Sequence, residues 1–156
     1  MTMMIRGLLG AGAALAVLAC AQPSRAAALK DCDDYASAGL VVEPWEQNTR
    51  TFYNGAVRVA VTDTGGEPVC CSSWLVVIFP DVEDELSGRR CMMLGQGEGT
   101  GWAGLDVKAI RSSYSAATGL ILTVPVKVMR EDGNGVRPAT VKLALDLRTS
   151  RLRIVG

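Results

Sequence analysis

The sequence predicts a small all-β domain, a disulfide-braced β-sandwich or barrel of about eight mostly antiparallel strands. Runs of alternating apolar and polar residues recur along the chain, with the period of half-buried strands. Short turns rich in glycine, asparagine and aspartate separate these runs. Beyond residue 28 the chain holds four cysteines, enough for two disulfides. Together these observations favour packed sheets over a helical or mixed architecture.

Residues 1–28 are predicted to be a cleaved signal peptide, which leaves residues 29–156 as a single β-domain. Arg6 precedes an apolar run at 7–21 that is too short for a comfortable transmembrane helix. Cleavage after Ala28 fits the small-x-small rule. The mature chain would carry 14 basic and 16 acidic residues, a net charge of −2. It would be periplasmic or secreted, with no transmembrane span.

A second interpretation of the same segment remains open. The run Val17-Leu18-Ala19-Cys20 resembles a bacterial lipobox, whose cysteine is lipidated and becomes the first mature residue. Residues 1–19 would then be a lipoprotein signal, and the domain would be lipid-anchored to the bacterial envelope through Cys20.

Composition argues against several functions. Lysine plus arginine and aspartate plus glutamate both number 16, so no net charge attracts nucleic acid or an acidic membrane. The chain has no histidine. Ser-His-Asp and Cys-His nucleophile systems, and histidine-ligated zinc or copper, are therefore excluded.

The segment 57–80 is the predicted centre of the domain. A long strand is expected from Thr51 to Asp63 and a second from 69 to 79, which is apolar on both faces and so predicts a central strand. The turn between them, TDTGGEPV, resembles a hairpin of bacterial immunoglobulin-like extracellular domains. The resemblance implies an immunoglobulin-like sandwich and carries no activity.

The four cysteines Cys32, Cys70, Cys71 and Cys91 are predicted to form two disulfides. Neighbouring side chains on a strand point to opposite faces, and a bond between adjacent cysteines is rare. We therefore expect one of Cys70 and Cys71 to bond Cys32 and the other to bond Cys91. If the strand of Cys91 instead formed a tight hairpin with the 69–79 strand, Cys91 would lie near Ile78 and far from Cys71.

The functional alternative for the cysteines is a soft-metal or redox site. Cys70, Cys71 and Cys91, with Met92 and Met93, offer the thiolate and thioether ligands that Cu(I) prefers. No C-x-x-C motif or repeated ligand spacing accompanies them. Structural disulfides are therefore the preferred interpretation, and we assign no metal or cofactor.

The C-terminal third is predicted to be a β-meander. Strands are expected at 105–110, 120–128, 141–147 and 151–155, with turns at 111–119 and 131–135. Pro125 predicts an edge strand or a bulge, because proline cannot donate a ladder hydrogen bond.

Three further segments and one tryptophan remain to be interpreted. The run 39–43 is expected to be a short edge strand, and the acidic run 81–85 lacks the spacing of a calcium loop. No helix follows the glycine-rich run 95–101, which argues against phosphate binding. Trp102 would stand at the edge of that loop. Trp45 is expected to plug the core, with a partner-facing aromatic as the alternative.

These patterns leave three functions in order of preference. The first is a non-catalytic binding or accessory domain of the bacterial envelope, with a protein or glycan partner. The second is a thiol-based Cu(I) or redox protein, which requires free thiols. The third is a carboxylate-dependent hydrolase, which needs two carboxylates about 5–10 Å apart across a cleft. The sequence identifies no catalytic residue.

Overall fold

The computed structural model describes residues 27–66, 70–84, 86 and 88–155. Within them ten strands form two open, antiparallel, five-stranded sheets. Helical structure among these residues amounts to the short helix α1 (Trp45–Asn48) and two 3-10 turns, Asp34–Ala36 and Ala38–Leu40. The all-β prediction is confirmed, with ten strands instead of about eight.

The described fold begins one or two residues before the expected domain start at residue 29. Ala28 is the first residue of a strand and pairs with Gly95, and Ala27 packs against the core. The rest of the predicted signal peptide 1–28, its alternative 1–19 and the lipidation of Cys20 lie outside the described residues.

The first sheet is built from residues 28–95, in the strand order β1-β5-β4-β3-β2. Its strands are β1 (Ala28–Asp31), β2 (Thr49–Phe52), β3 (Val57–Asp63), β4 (Ser73–Pro80) and β5 (Arg89–Gly95). β4 is central, as its two apolar faces predict. Leu75, Val77 and Phe79 enter the main core, while Trp74 and Val76 pack in a smaller cluster on the outer face.

The expected single strand from Thr51 to Asp63 is wrong, because the chain reverses between β2 and β3. Tyr53, Asn54 and Gly55 all have positive φ, at 51°, 54° and 84°. Asn-Gly is a common pair at such turns, so the sequence did carry the signal. The expected edge strand at 39–43 is also wrong: this segment has a 3-10 turn and a single bridge from Val41 to Thr62.

The second sheet is built from residues 104–155 and is dominated by one long hairpin. Its strands are β6 (Gly104–Leu105), β7 (Arg111–Ser115), β8 (Gly119–Met129), β9 (Val136–Asp146) and β10 (Arg151–Val155). The order is β10-β9-β8-β6, and β7 also pairs with β8. The expected strand at 105–110 is thus only two residues long, and part of the expected turn at 111–119 is strand β7.

Pro125 lies inside β8 at a point where its missing N–H costs no strand pairing. On one side it faces Thr140 of β9. On the other side, β7 pairs with β8 only up to Thr123 and β6 only from Val126. The gap between β6 and β7 explains how a proline is tolerated in a strand with neighbours on both sides.

The inner faces of the two sheets share one apolar core. Buried side chains from both sheets form this cluster, including Leu75, Phe79, Leu122 and Leu143. The Arg50 guanidinium joins the edges by donating to the carbonyls of Lys108 and Ile110, at 2.9 and 2.6 Å. Among the described residues, no helix has the length and apolar character required to cross a membrane.

Candidate functional site

The cysteines pair differently from the expected pattern. Disulfides join Cys32 to Cys91 and Cys70 to its neighbour Cys71. The expected bonds from the adjacent pair to Cys32 and Cys91 are therefore wrong. That expectation placed the pair within an extended strand, but β4 begins only at Ser73 and Cys71 has a left-handed φ of 77°. The rule of opposite faces applies only to extended backbone.

The hairpin geometry explains why Cys91 cannot reach the adjacent pair. β5 is the direct antiparallel neighbour of β4, and Cys91 lies opposite Ile78. Seven residues separate Ile78 from Cys71, about 20 Å of extended chain. The five residues of the soft-metal alternative are thus not brought together. In the described part of the chain, no cluster of three or more Cys, Asp or Glu residues is placed to hold a metal ion.

The Cys32–Cys91 bond fixes a strap, residues 32–42, across the outer face of the first sheet. The strap leaves β1 at one edge and reaches β3, where the Val42 N–H donates to the Val61 carbonyl at 3.0 Å. Beneath it lie Trp74 and Met93, both fully buried. The outer face of the first sheet is therefore largely occupied by the protein's own chain.

Among the described residues, none covers the outer face of the second sheet, which presents five exposed cations. This cationic face consists of Arg111, Lys127, Lys142, Arg151 and Arg153. The strand register places them on one side: Arg111 and Lys142 flank Thr123, and Arg153 lies opposite Ala144. The register also puts Arg151 opposite Asp146 and Lys127 opposite Pro138.

The cationic face belongs to a wider division of charge between the two sheets. Residues 27–103 contain five basic and twelve acidic residues, a net charge of −7. Residues 104–155 contain nine basic and four acidic residues, a net charge of +5. The near-zero net charge of the whole chain conceals this difference between its two parts. Counting charge by halves of the chain would have revealed it from sequence.

The five cations of this face make no salt bridge with any described residue. The acidic side chain among them, Asp146, is bound by Arg148, with Nε–Oδ1 and Nη2–Oδ2 distances of 3.3 Å. These hydrogen bonds lower the pKa of Asp146 below its ordinary value. Asp146 is therefore ionised and paired at neutral pH, and the five cations remain available to a partner.

A cleft of about 590 Å³ opens beside this face, between β5 and β10. Arg90 and Met92 of β5 form one wall, and Arg151, Leu152 and Arg153 of β10 form the other. The turn residues Asp146, Thr149 and Ser150 close one end. The cleft exists because β1 pairs only with Met92–Gly95, so the first half of β5 has no strand beyond it.

A second cleft, of about 530 Å³, lies near the β2–β3 hairpin of the first sheet. Its described lining is mostly threonine, arginine and aliphatic residues, among them Thr51, Arg58 and Ile78, without a carboxylate. The first cleft contains one carboxylate, Asp146, which Arg148 occupies. Neither cleft shows among its described residues the two facing carboxylates that a glycosidase uses.

The environments of Trp45 and Trp102 are opposite to each other. Trp45 is 53% exposed, so the expectation that it plugs the core is wrong. Trp102, expected at the edge of a loop, is 3% exposed and donates its Nε1–H to the Leu94 carbonyl at 3.1 Å. Its backbone N–H also donates to the Ser73 carbonyl oxygen. This hydrogen bond holds the end of the glycine-rich loop against the start of β4.

Comparison with protein-family models, with curated proteins and with solved structures finds no match to this chain.

Proposed function

We propose that this chain is an exported, non-catalytic binding domain of the bacterial envelope that holds a polyanionic glycan. In this proposal the two sheets form an immunoglobulin-like sandwich, and the glycan lies on the cationic face. The observation that carries the proposal is the set of five exposed cations on one side of the second sheet, none in a salt bridge with a described residue.

The spacing of these cations suits a repeating anion. Adjacent strands lie about 4.8 Å apart, and residues two apart on a strand lie about 7 Å apart. Arg111 and Lys142, separated by one strand, therefore have Cα atoms about 10 Å apart. Arg151 and Arg153, on one strand, are about 7 Å apart. A flexible polymer with a charge on each sugar unit can meet several of these cations at once.

The composition of the face favours a charged polymer over a protein partner. Protein interfaces usually have an apolar core containing aromatic residues. The strand positions between the cations are instead occupied by the polar Ser113, Thr123 and Thr140 and by the small or aliphatic Ile121, Pro125 and Ala144. The face contains no aromatic side chain at its described strand positions. Dense positive charge without aromatic anchors is typical of polyelectrolyte binding.

The disulfides support export. Cross-links of this kind persist in oxidising compartments and are uncommon in the cytosol. Mass spectrometry of the protein recovered from the envelope tests the processing. A first residue at Leu29 supports free export, and a lipidated Cys20 supports anchoring. An unprocessed cytosolic chain would contradict both.

The binding proposal is tested by affinity for a uronic acid polymer, with neutral dextran as the comparison. We expect binding to polygalacturonate and not to dextran, with affinity falling steeply as salt rises. The double variant Arg111→Gln/Lys142→Gln should weaken binding at least about fivefold, since each lost charged contact contributes about 0.5 kcal/mol or more.

The matched control is Arg58→Gln, an exposed arginine on the outer face of the first sheet. It removes one positive charge without touching the cationic face and should leave the affinity unchanged. Equal binding to dextran, or equal losses in the control and the double variant, would overturn the proposal. Capture of an acidic protein in preference to the polymer would do the same.

A further inference from the structure

We infer that the cleft between β5 and β10 is a specific site for an acidic sugar unit, one that carries a phosphate or a carboxylate. The inference deepens the proposed function and rests on it for the source of the sugar, the polymer held on the adjacent cationic face. The cleft itself is argued from its own residues.

Arg90 occupies a position that an all-β core would ordinarily fill with an apolar residue. It lies opposite Phe79, and alternation places it on the inner face of the first sheet with Met92 and Leu94. Its side chain is 40% exposed and is directed to the mouth between the sheets. The sheet fixes the backbone of Arg90, and the guanidinium presents a fork of donors that matches a phosphate or carboxylate.

Three arginines line the cleft. Arg151 and Arg153, which the strand register places on the outer side of the second sheet, border it together with Arg90 of the first sheet. Asp31, the nearest acid to Arg90, is 3.9 Å away and 81% exposed, so its attraction is weakened by water. The other acid, Asp146, is occupied by Arg148. An entering oxyanion therefore meets three cations and no unpaired acid among the described lining residues.

One wall of the cleft is fixed in place before any ligand binds. The buried Ser150 hydroxyl donates to the Pro80 carbonyl at 2.9 Å and accepts from the Val82 N–H at 2.8 Å. These bonds tie the β9–β10 turn to the end of β4. The backbone at Thr149 and Arg151, on either side of Ser150, is thus held in place, which reduces the ordering cost of binding.

The size and lining of the cleft define the rest of the ligand. A volume of about 590 Å³ lies within the range of small-molecule sites. Met92 and Leu152 give each wall an apolar residue, and Thr149 contributes a hydroxyl to the lining. A sugar ring has an apolar face and several hydroxyls, so a ring with one acidic group matches all three features.

The test is isothermal titration of the full chain with glucose 6-phosphate, glucuronate, inorganic phosphate and glucose. We expect binding of one or both acidic sugars, weaker binding of phosphate and none of glucose. The two acidic sugars separate a phosphate from a carboxylate preference. Arg90→Gln and, independently, Arg153→Gln should each lower the affinity about tenfold. Arg58→Gln, in the second cleft, should not change it.

Thermal unfolding of each variant keeps the result interpretable. If Arg90→Gln unfolds, Arg153→Gln on the exposed wall still tests the site. Equal affinity for glucose and its acidic relatives, or no loss in a folded Arg153→Gln, would overturn the inference. The two proposals fail separately: polymer binding without acidic-sugar binding rejects only the cleft, and the reverse result rejects only the polymer.

Discussion

The two sheets share one core but differ in how they are held together and in what they leave exposed. The first has strands of four to eight residues, both disulfides and a strap across its outer face. The second has no cysteine and depends on the 11-residue strands β8 and β9. The first sheet lies in the acidic part of the chain and has the strap on its outer face. The second lies in the basic part, and no described residue covers its outer face.

Under the proposed function, the difference separates structural support from recognition. A cross-linked sheet with its own chain packed over it has little outer surface left for a partner. A sheet stabilised by one long hairpin needs nothing on its outer face and can carry five exposed cations. If this contrast is correct, covalent changes should affect the first sheet most and charge changes should affect only binding at the second.

Removal of the Cys32–Cys91 bond should have the largest effect. The bond spans 59 residues, and Cys32→Ser/Cys91→Ser should lower the free energy of unfolding by about 3–4 kcal/mol. The matched control, Cys70→Ser/Cys71→Ser, removes a bond of sequence separation 1 that closes almost no loop, so the loss should be below about 1 kcal/mol. Urea unfolding measures both; equal losses would contradict the assigned roles.

A glycine substitution tests the hairpin that holds the second sheet. Gly119 begins β8 with φ 73°, and a Cβ there would clash with the Leu145 carbonyl oxygen. Gly119→Ala should cost about 2–3 kcal/mol of unfolding free energy, because a backbone atom cannot easily move aside. Gly133→Ala has a similar φ of 71° but open space around it, and should cost only about 1 kcal/mol. Similar denaturant midpoints for the two variants would show that β8 adjusts freely.

A charge change at the cleft should alter binding. Asp146→Asn removes the carboxylate beside Arg151 and releases Arg148. The affinity for an acidic sugar should then rise about threefold, as expected for one exposed charge. Glu131→Gln, in the turn at the far end of the β8–β9 hairpin, is the control and should have no effect. Titration calorimetry distinguishes them, and weaker binding by Asp146→Asn would count against the cleft.

The smallest effect concerns the titration of Asp146. Hydrogen bonds from Arg148 lower its pKa below the 3.8 of an unperturbed aspartate. The pair therefore stabilises the fold fully above pH 3.8, and this contribution is lost as the pH falls through the lower pKa of the folded state. NMR of the side-chain carboxyl should give a midpoint below 3.8, returning toward that value in Arg148→Gln. An unchanged midpoint in the variant would remove Arg148 as the cause.

The sequence was most informative where local pattern decides structure. Local pattern located the apolar faces of β4 and the last strand, Arg151–Val155. The cysteine pairing was missed because it depends on which strands are neighbours. Cys32 and Cys91 are 59 residues apart in the chain and meet because β1 pairs with β5, and local pattern carries no information on such a contact.

The candidate site also could not be predicted from local sequence pattern. In the sequence, Arg90 is one of two adjacent arginines at the start of a strand. Only the pairing of β5 with β4, which sets Arg90 opposite Phe79, places it between the sheets. The cationic face combines residues from β7, β8, β9 and β10. Their alternation was visible in sequence, but their common side required the strand pairings.

The division of the chain into two consecutive halves has a consequence for its biogenesis. Every strand of the first sheet lies within residues 28–95, and both disulfides lie within residues 32–91. A chain that emerges from its N-terminus can therefore complete its oxidation while the β8–β9 hairpin is still to come. The covalent frame would be in place first, and the recognition surface would assemble on it as the final step.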